Sequence, residues 1–169
     1  MSTQDLTPPD SGKEPWLAVN LSSLFPGIGQ IYAGRPVRGL ILLISQLAIQ
    51  IFGLLSLLLP EGSITIGLGL FALSLLISLG NLIDAYGCAR SSNSGSFENS
   101  RKNNKDPWFA VFLSRFIPGL GFLYIRQWII GILLFVFTLA TLVVPSLSLL
   151  GHIAFPLIIF LVYRLAPIR

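Results

Sequence analysis

Cysteine is nearly absent from this chain. Cys88 stands alone among 169 residues, which excludes an internal disulfide and any metal cluster built from thiolates. Charge is scarce too, at 11% of residues against about a quarter in soluble domains. The lysines Lys13, Lys102 and Lys105 all lie in polar stretches, no serine–histidine–aspartate set is evident, and no pair of carboxylates shares an apolar segment. A serine–lysine hydrolase needs its lysine beside a serine in a sheltered pocket. Catalysis has little to work with here, so no catalytic residue, metal site or cofactor is assigned.

What the chain has in abundance is apolar sequence, 53% of residues, arranged in long runs. The net charge is +4, and the basic residues sit outside those runs or at their edges. Basic groups that flank apolar runs suit an anionic lipid surface rather than nucleic acid. The first fourteen residues are polar and the first apolar run is broken by Pro-Gly, which predicts an uncleaved, multi-span protein without a signal peptide.

The chain is organised around one stretch, Phe25 to Tyr32, and its echo from Ile117 to Tyr124. An offset of 92 aligns Trp16 with Trp108, Pro26 with Pro118, Gly27 with Gly119, Gly29 with Gly121, Tyr32 with Tyr124 and Gly39 with Gly131. The copies depart where Gln30 becomes Phe122 and where Gly34-Arg35-Pro36 becomes Arg126-Gln127-Trp128. Both end alike, Tyr86 to Ala89 matching Tyr163 to Ala166. The domain reading is a disordered tail at 1–14, a first membrane repeat at 15–90, a flexible cytoplasmic linker at 91–106 and a second membrane repeat at 107–169.

Within each repeat the order is a short interfacial helix, a Pro-Gly turn, and two apolar helices. Trp16 to Phe25 places Asn20, Ser22 and Ser23 on a more polar side, as in a helix lying on a membrane surface, and Pro26 ends it. Gly39 to Leu59 is the first span, ~31 Å as a helix, and Ile64 to Ile83 the second, joined by a turn at 60–63. Gln46 and Gln50 form the least apolar stripe of the first span, and Ser74, Ser78 and Asn81 that of the second. These stripes are expected to face each other, where amide and hydroxyl bonds are worth about 0.6–2 kcal/mol each. Thr138 stands at the place of Gln46 in the second copy. Residues 129–163 would be ~52 Å long as one helix, so a break is expected between Pro145 and Gly151, leaving Ile129–Val144 and about Ser148–Tyr163.

The fold class expected is therefore an all-α integral membrane protein of two parallel repeats, with four transmembrane helices. No basic residue lies in the turn at 60–63 or near 145–151. The positive-inside bias then puts both turns outside and both termini and the linker in the cytoplasm. The Pro-Gly segments stay at the interface, because ten apolar residues are too few to cross a core that needs roughly 20.

Isolated polar groups are read conservatively. Asp84, at the cytoplasmic end of the second span, reaches water. Arg115 snorkels to phosphates, and His152, near the outer end of the last helix, is tolerated at the interface with a pH-sensing role as the sharper option. Tyr32, Tyr124 and the tryptophans are interface anchors. The Pro-Gly-x-Gly motif lacks the preceding strand and the Lys-Ser/Thr of a phosphate-binding loop, and it reads as a tight turn.

The string from Leu24 to Arg35, followed by two spans, resembles the TM-two domain family of small two-span bacterial membrane modules. Lys105 to Gly121, together with Tyr163 to Pro167, is similar to the membrane region that precedes the peptidase domain of some cyanobacterial type I signal-peptidase-like proteins. That family's activity rests on a Ser-Met motif and a downstream lysine, and neither is present here. These resemblances imply a bacterial plasma or thylakoid membrane. The function expected is a non-enzymatic scaffold or partner-binding module, with a membrane-protein partner or a homo-oligomer. The alternatives are a small transporter or channel at the repeat interface, and the membrane half of a signal-peptidase-like protein.

Overall fold

The structure is a computed structural model that describes residues 12–103 and 105–166. Most of the expected N-terminal tail, 1–11, and the extreme C-terminus, 167–169, lie outside the described residues. Every regular element among the described residues is an α-helix. The chain divides into two compact units that meet in sequence at Phe97 and Glu98.

The first unit contains α1 (Pro15–Leu24), α2 (Ile28–Tyr32), α3 (Pro36–Leu58) and α4 (Ile64–Ser91). Proline starts both α1 and α3, a position where its missing N–H costs nothing. Phe25, which precedes Pro26, leaves the helix with extended backbone (φ −138°, ψ 116°), as the proline ring demands. Gly27 then turns the chain with φ +93°. A side chain there would be strained, and its Cβ would lie 2.0 Å from the carbonyl oxygen of Gly39. Gly29 is as constrained from the other side, since a Cβ would meet Ala18 O at 2.1 Å. The Pro-Gly-x-Gly motif is thus more than a turn: it wedges α2 between α1 and α3.

Helices α3 and α4 form an antiparallel pair. Gly39, Gln46 and Gly53 are buried along α3, and Gly67, Ser74, Asn81 and Cys88 along α4, each one seven residues from the last. A seven-residue repeat keeps one seam facing the partner helix, and small residues let the backbones approach. The expected second span stops at Ile83, but α4 continues to Ser91. Its last two turns pack on α1 and α2, with Ala85, Cys88 and Ala89 buried beside Ala18 and Ala33.

Helix α1 corrects the expected orientation of its polar side. Asn20 and Ser22 are buried, at 6% and 3% exposure, while Leu24 and Phe25 are exposed. Ser22 faces α2, its Oγ accepting from Gly29 N at 3.0 Å, and Asn20 Nδ2 donates to Trp16 O of its own helix at 2.8 Å.

Within the expected linker, Gly95–Asn103 is helical, α5, for local reasons: Ser94 Oγ accepts from Phe97 N at 3.2 Å, and Glu98 pairs with Arg101 one turn on. The second unit then holds α6 (Pro107–Phe116), α7 (Leu120–Tyr124), α8 (Trp128–Val143) and α9 (Pro145–Leu165). Asp106 caps α6, its carboxylate accepting from Trp108 N at 2.9 Å. The break expected between Pro145 and Gly151 falls instead at Val144. Val144 precedes a proline and is extended, and Pro145 opens the next helix. Helices α8 and α9 are ~24 Å and ~31 Å long, shorter than their counterparts α3 and α4.

Candidate functional site

The polar groups of the first unit converge on Gln30. It is fully buried, held on α2 by the glycine wedge described above. Its Oε1 accepts from Ser22 Oγ at 3.1 Å. Its Nε2 lies 2.8 Å from Asn81 Oδ1, 3.2 Å from Asn81 O and 3.0 Å from Asp84 Oδ2, two hydrogens shared among three acceptors. Asp84 carries the network outward as an ion pair with Arg38 on α3. Arg35 donates to Ser91 Oγ at 3.0 Å across the same end of the helix pair.

Beside this network lies a cleft of about 730 Å³. Arg35, Arg38 and Asp84 rim it, Asn81 lines it beside them, and Ile41, Leu42 and Ile77 form apolar walls. Asn81 is 3% exposed. Its Oδ1 is taken by Gln30, and its Nδ2 is buried with no acceptor among the described residues. The cleft therefore combines two cations, one anion and an apolar slot.

Several side-chain contacts of the first unit have counterparts in the second. Trp16 packs edge-on against Tyr86 at 5.3 Å, and Trp108 packs on Tyr163 at 4.8 Å. Tyr32 accepts Glu14 N at 3.0 Å, and Tyr124 accepts Asp106 N at 3.0 Å. Lys13 and Lys105 each sit 5.1 Å from the ring centre of those tyrosines. Carrying these correspondences along the helices matches Gln30 with Phe122, Arg38 with Ile130, Asn81 with Ile158 and Asp84 with Leu161. Phe122 and Ile158 pack with Val162 and Ile125 in an apolar core. Ser114, the counterpart of Ser22, has its Oγ buried without a partner, since a phenyl ring cannot accept its proton. Four polar positions of the first unit thus line up with four apolar ones in the second.

The other residues singled out in the sequence fall in several places. Gln46 Nε2 reaches Ser74 O at 3.0 Å, Ser74 Oγ at 2.5 Å and Ser78 Oγ at 3.0 Å. Gln50 is exposed and approaches Ser74 Oγ only at 3.4 Å. Asn81 belongs to the Gln30 network instead of this stripe. Thr138 donates to Leu134 O of its own helix at 2.8 Å and lines a smaller cavity of about 260 Å³ with His152. Arg115 lies in the last turn of α6. Asp84 does more than reach water, since three side chains hold it: Gln30, Arg38 and, at 3.8 Å, the Cys88 thiol. Tyr32 and Tyr124, expected as interface anchors, spend their hydroxyls on the entering chain. Gln30 was visible in sequence only as a departure between the two copies.

No group of three or more potential metal ligands occurs among the described residues. Compared with protein-family models, curated proteins and solved structures, the chain gave no match in any of the three.

Proposed function

We propose that this chain is a multi-pass integral membrane protein that acts by binding, as a scaffold or partner-binding module, with its site in the cleft of the first unit. One observation carries the proposal: Gln30, Arg38, Asn81 and Asp84 line up with apolar residues in the second unit. A buried polar network is seldom worth more to stability than well-packed apolar side chains. The second unit packs without one, so the network serves something other than the fold.

The membrane reading has its own support. Helices α3 and α4 are 23 and 28 residues long and apolar. Only 11% and 17% of their most apolar windows are buried, which is foreign to the core helix of a soluble protein. Ile41, Leu75 and Ile83 are 63%, 68% and 76% exposed while Gln46 and Asn81 are buried. That inversion suits lipid as the surrounding solvent. Helices α8 and α9 complete the four spans, with slight local thinning of the bilayer around the shorter α8. The Pro-Gly segments remain at the interface. Arg35, Arg38 and Arg90 gather at the end of the α3–α4 pair away from the turn at 60–63, so that end is cytoplasmic. The resemblance to TM-two and peptidase-linked membrane regions supports a bacterial plasma or thylakoid membrane.

The test is a photo-crosslinking side chain at Val37, which is 72% exposed at the cleft mouth, in alkali-washed membranes. A discrete adduct is expected from the wild type. It should vanish when Gln30, Arg38, Asn81 and Asp84 are replaced together by Met, Met, Leu and Leu. Loss of the chain to the alkaline wash, or the same adduct from both proteins, would refute the proposal.

A further inference from the structure

We infer that the cleft of the first unit holds one anionic phospholipid, its phosphodiester against Arg35 and Arg38 and the start of an acyl chain along Ile41, Leu42 and Ile77. This rests on the membrane reading above and names the occupant of the same site. Charge is the first argument. Two arginines against Asp84 leave the rim one positive charge in excess, and a phosphodiester brings one negative charge. Arg38 is 53% exposed despite its ion pair, and Arg35 uses one N–H on Ser91, so both guanidinium groups retain free donors. Their planar forks match phosphate oxygens.

The walls supply the rest, since the lining between the two arginines is apolar. The cleft follows residues 35–42 of α3, about 10 Å of helix. That is enough for a headgroup, the glycerol esters and the first methylenes, with the remaining chain lying among neighbouring lipids. Gly80 keeps the wall open, since a Cβ there would meet nothing within 4 Å. A soluble phosphate ester would find the same arginines but would leave the apolar walls uncovered. With Ile130 and Leu161 in place of Arg38 and Asp84, the second unit offers no equivalent, so the stoichiometry is one lipid per chain.

The experiment uses the full chain reconstituted in phosphatidylcholine, with phosphatidylglycerol or phosphatidylcholine spin-labelled on the acyl chain. The motionally restricted fraction is read by electron paramagnetic resonance. Phosphatidylglycerol should be preferred at one site per chain by about five-fold, the worth of one net cation against an anionic headgroup. Arg35→Gln should abolish the preference. Gly80→Leu should do the same by filling the slot from a position where its Cβ meets nothing within 4 Å, and circular dichroism of the reconstituted variant checks that the helices are kept. Equal restriction of the two lipids, or a preference that survives both variants, would overturn the inference. So would full competition by water-soluble glycerophosphoglycerol, which would mark a site for a free phosphate ester. Failure of the chain to reconstitute at all would strike the membrane reading instead, which separates the two.

Discussion

Gln30 and Asp84 meet at 3.0 Å, amide to carboxylate, although 54 residues separate them. The contact joins a five-residue helix to the far end of the longest one, and Arg38 closes the arrangement from α3. The result is a polar seam through an apolar unit, ending at an open cleft.

The seam should behave as a unit when it is cut. Gln30→Leu leaves Asn81 Oδ1 and Ser22 Oγ without their partner in a buried setting, which costs about 2 kcal/mol. Asn81→Leu alone should cost a similar amount. The double variant should cost clearly less than the sum, because each change removes the other's orphaned group. Denaturant unfolding in detergent, followed by circular dichroism, gives all four corners of the cycle. Strict additivity would mean that the two residues do not interact.

Two glycines of the first unit should respond in opposite ways. Gly27→Ala places a methyl 2.0 Å from Gly39 O at φ +93°, so it should destabilise by about 3 kcal/mol or more. Gly80→Ala meets nothing within 4 Å and replaces a helical glycine, which should stabilise by up to about 1 kcal/mol. The same unfolding measurement decides both.

In the second unit, Arg126 stands where the first unit has Gly34, and both adopt positive φ, 67° and 85°. The left-handed conformation costs a non-glycine residue about 1–2 kcal/mol. Arg126→Gly should therefore stabilise the second unit by about 1 kcal/mol, less a few tenths for the freer unfolded chain. An unchanged or lowered unfolding midpoint would show that Arg126 is unstrained there.

Topology can be read from single cysteines in a Cys88→Ser background. Ser63→Cys, beside the turn of the α3–α4 pair, should react with an impermeant maleimide added outside intact cells. Ser94→Cys, beyond the end of α4, should react only after the membrane is opened. External labelling of position 94 would reverse the orientation.

Local sequence was enough for the helices and for the units' shared grammar. Apolar runs of ~20 residues make helices wherever they lie, because no other conformation satisfies their backbone within one segment. The Pro-Gly motif and its echo predicted the turns at 26–27 and 118–119, since proline and glycine act on their immediate neighbours. The Gln46–Ser74 contact followed from each helix's own polar stripe. Short-range cues were there to be weighed further: Val144 ends α8 because Pro145 follows it, and a Ser94 cap with a Glu98–Arg101 pair makes 95–103 helical.

The candidate site was a matter for the tertiary structure. Nothing in the neighbourhood of Gln30 says that Asn81 and Asp84 will surround it, because the partners lie more than fifty residues away. Only the docking of α2 between α1, α3 and α4 brings them to hydrogen-bond distance. The same docking turned Asn20 and Ser22 inward, against the pattern of their own helix. It also drew the hydroxyls of Tyr32 and Tyr124 to the chain that enters each unit. Periodicity tells which faces of a helix differ; which face meets a partner depends on what else is packed there.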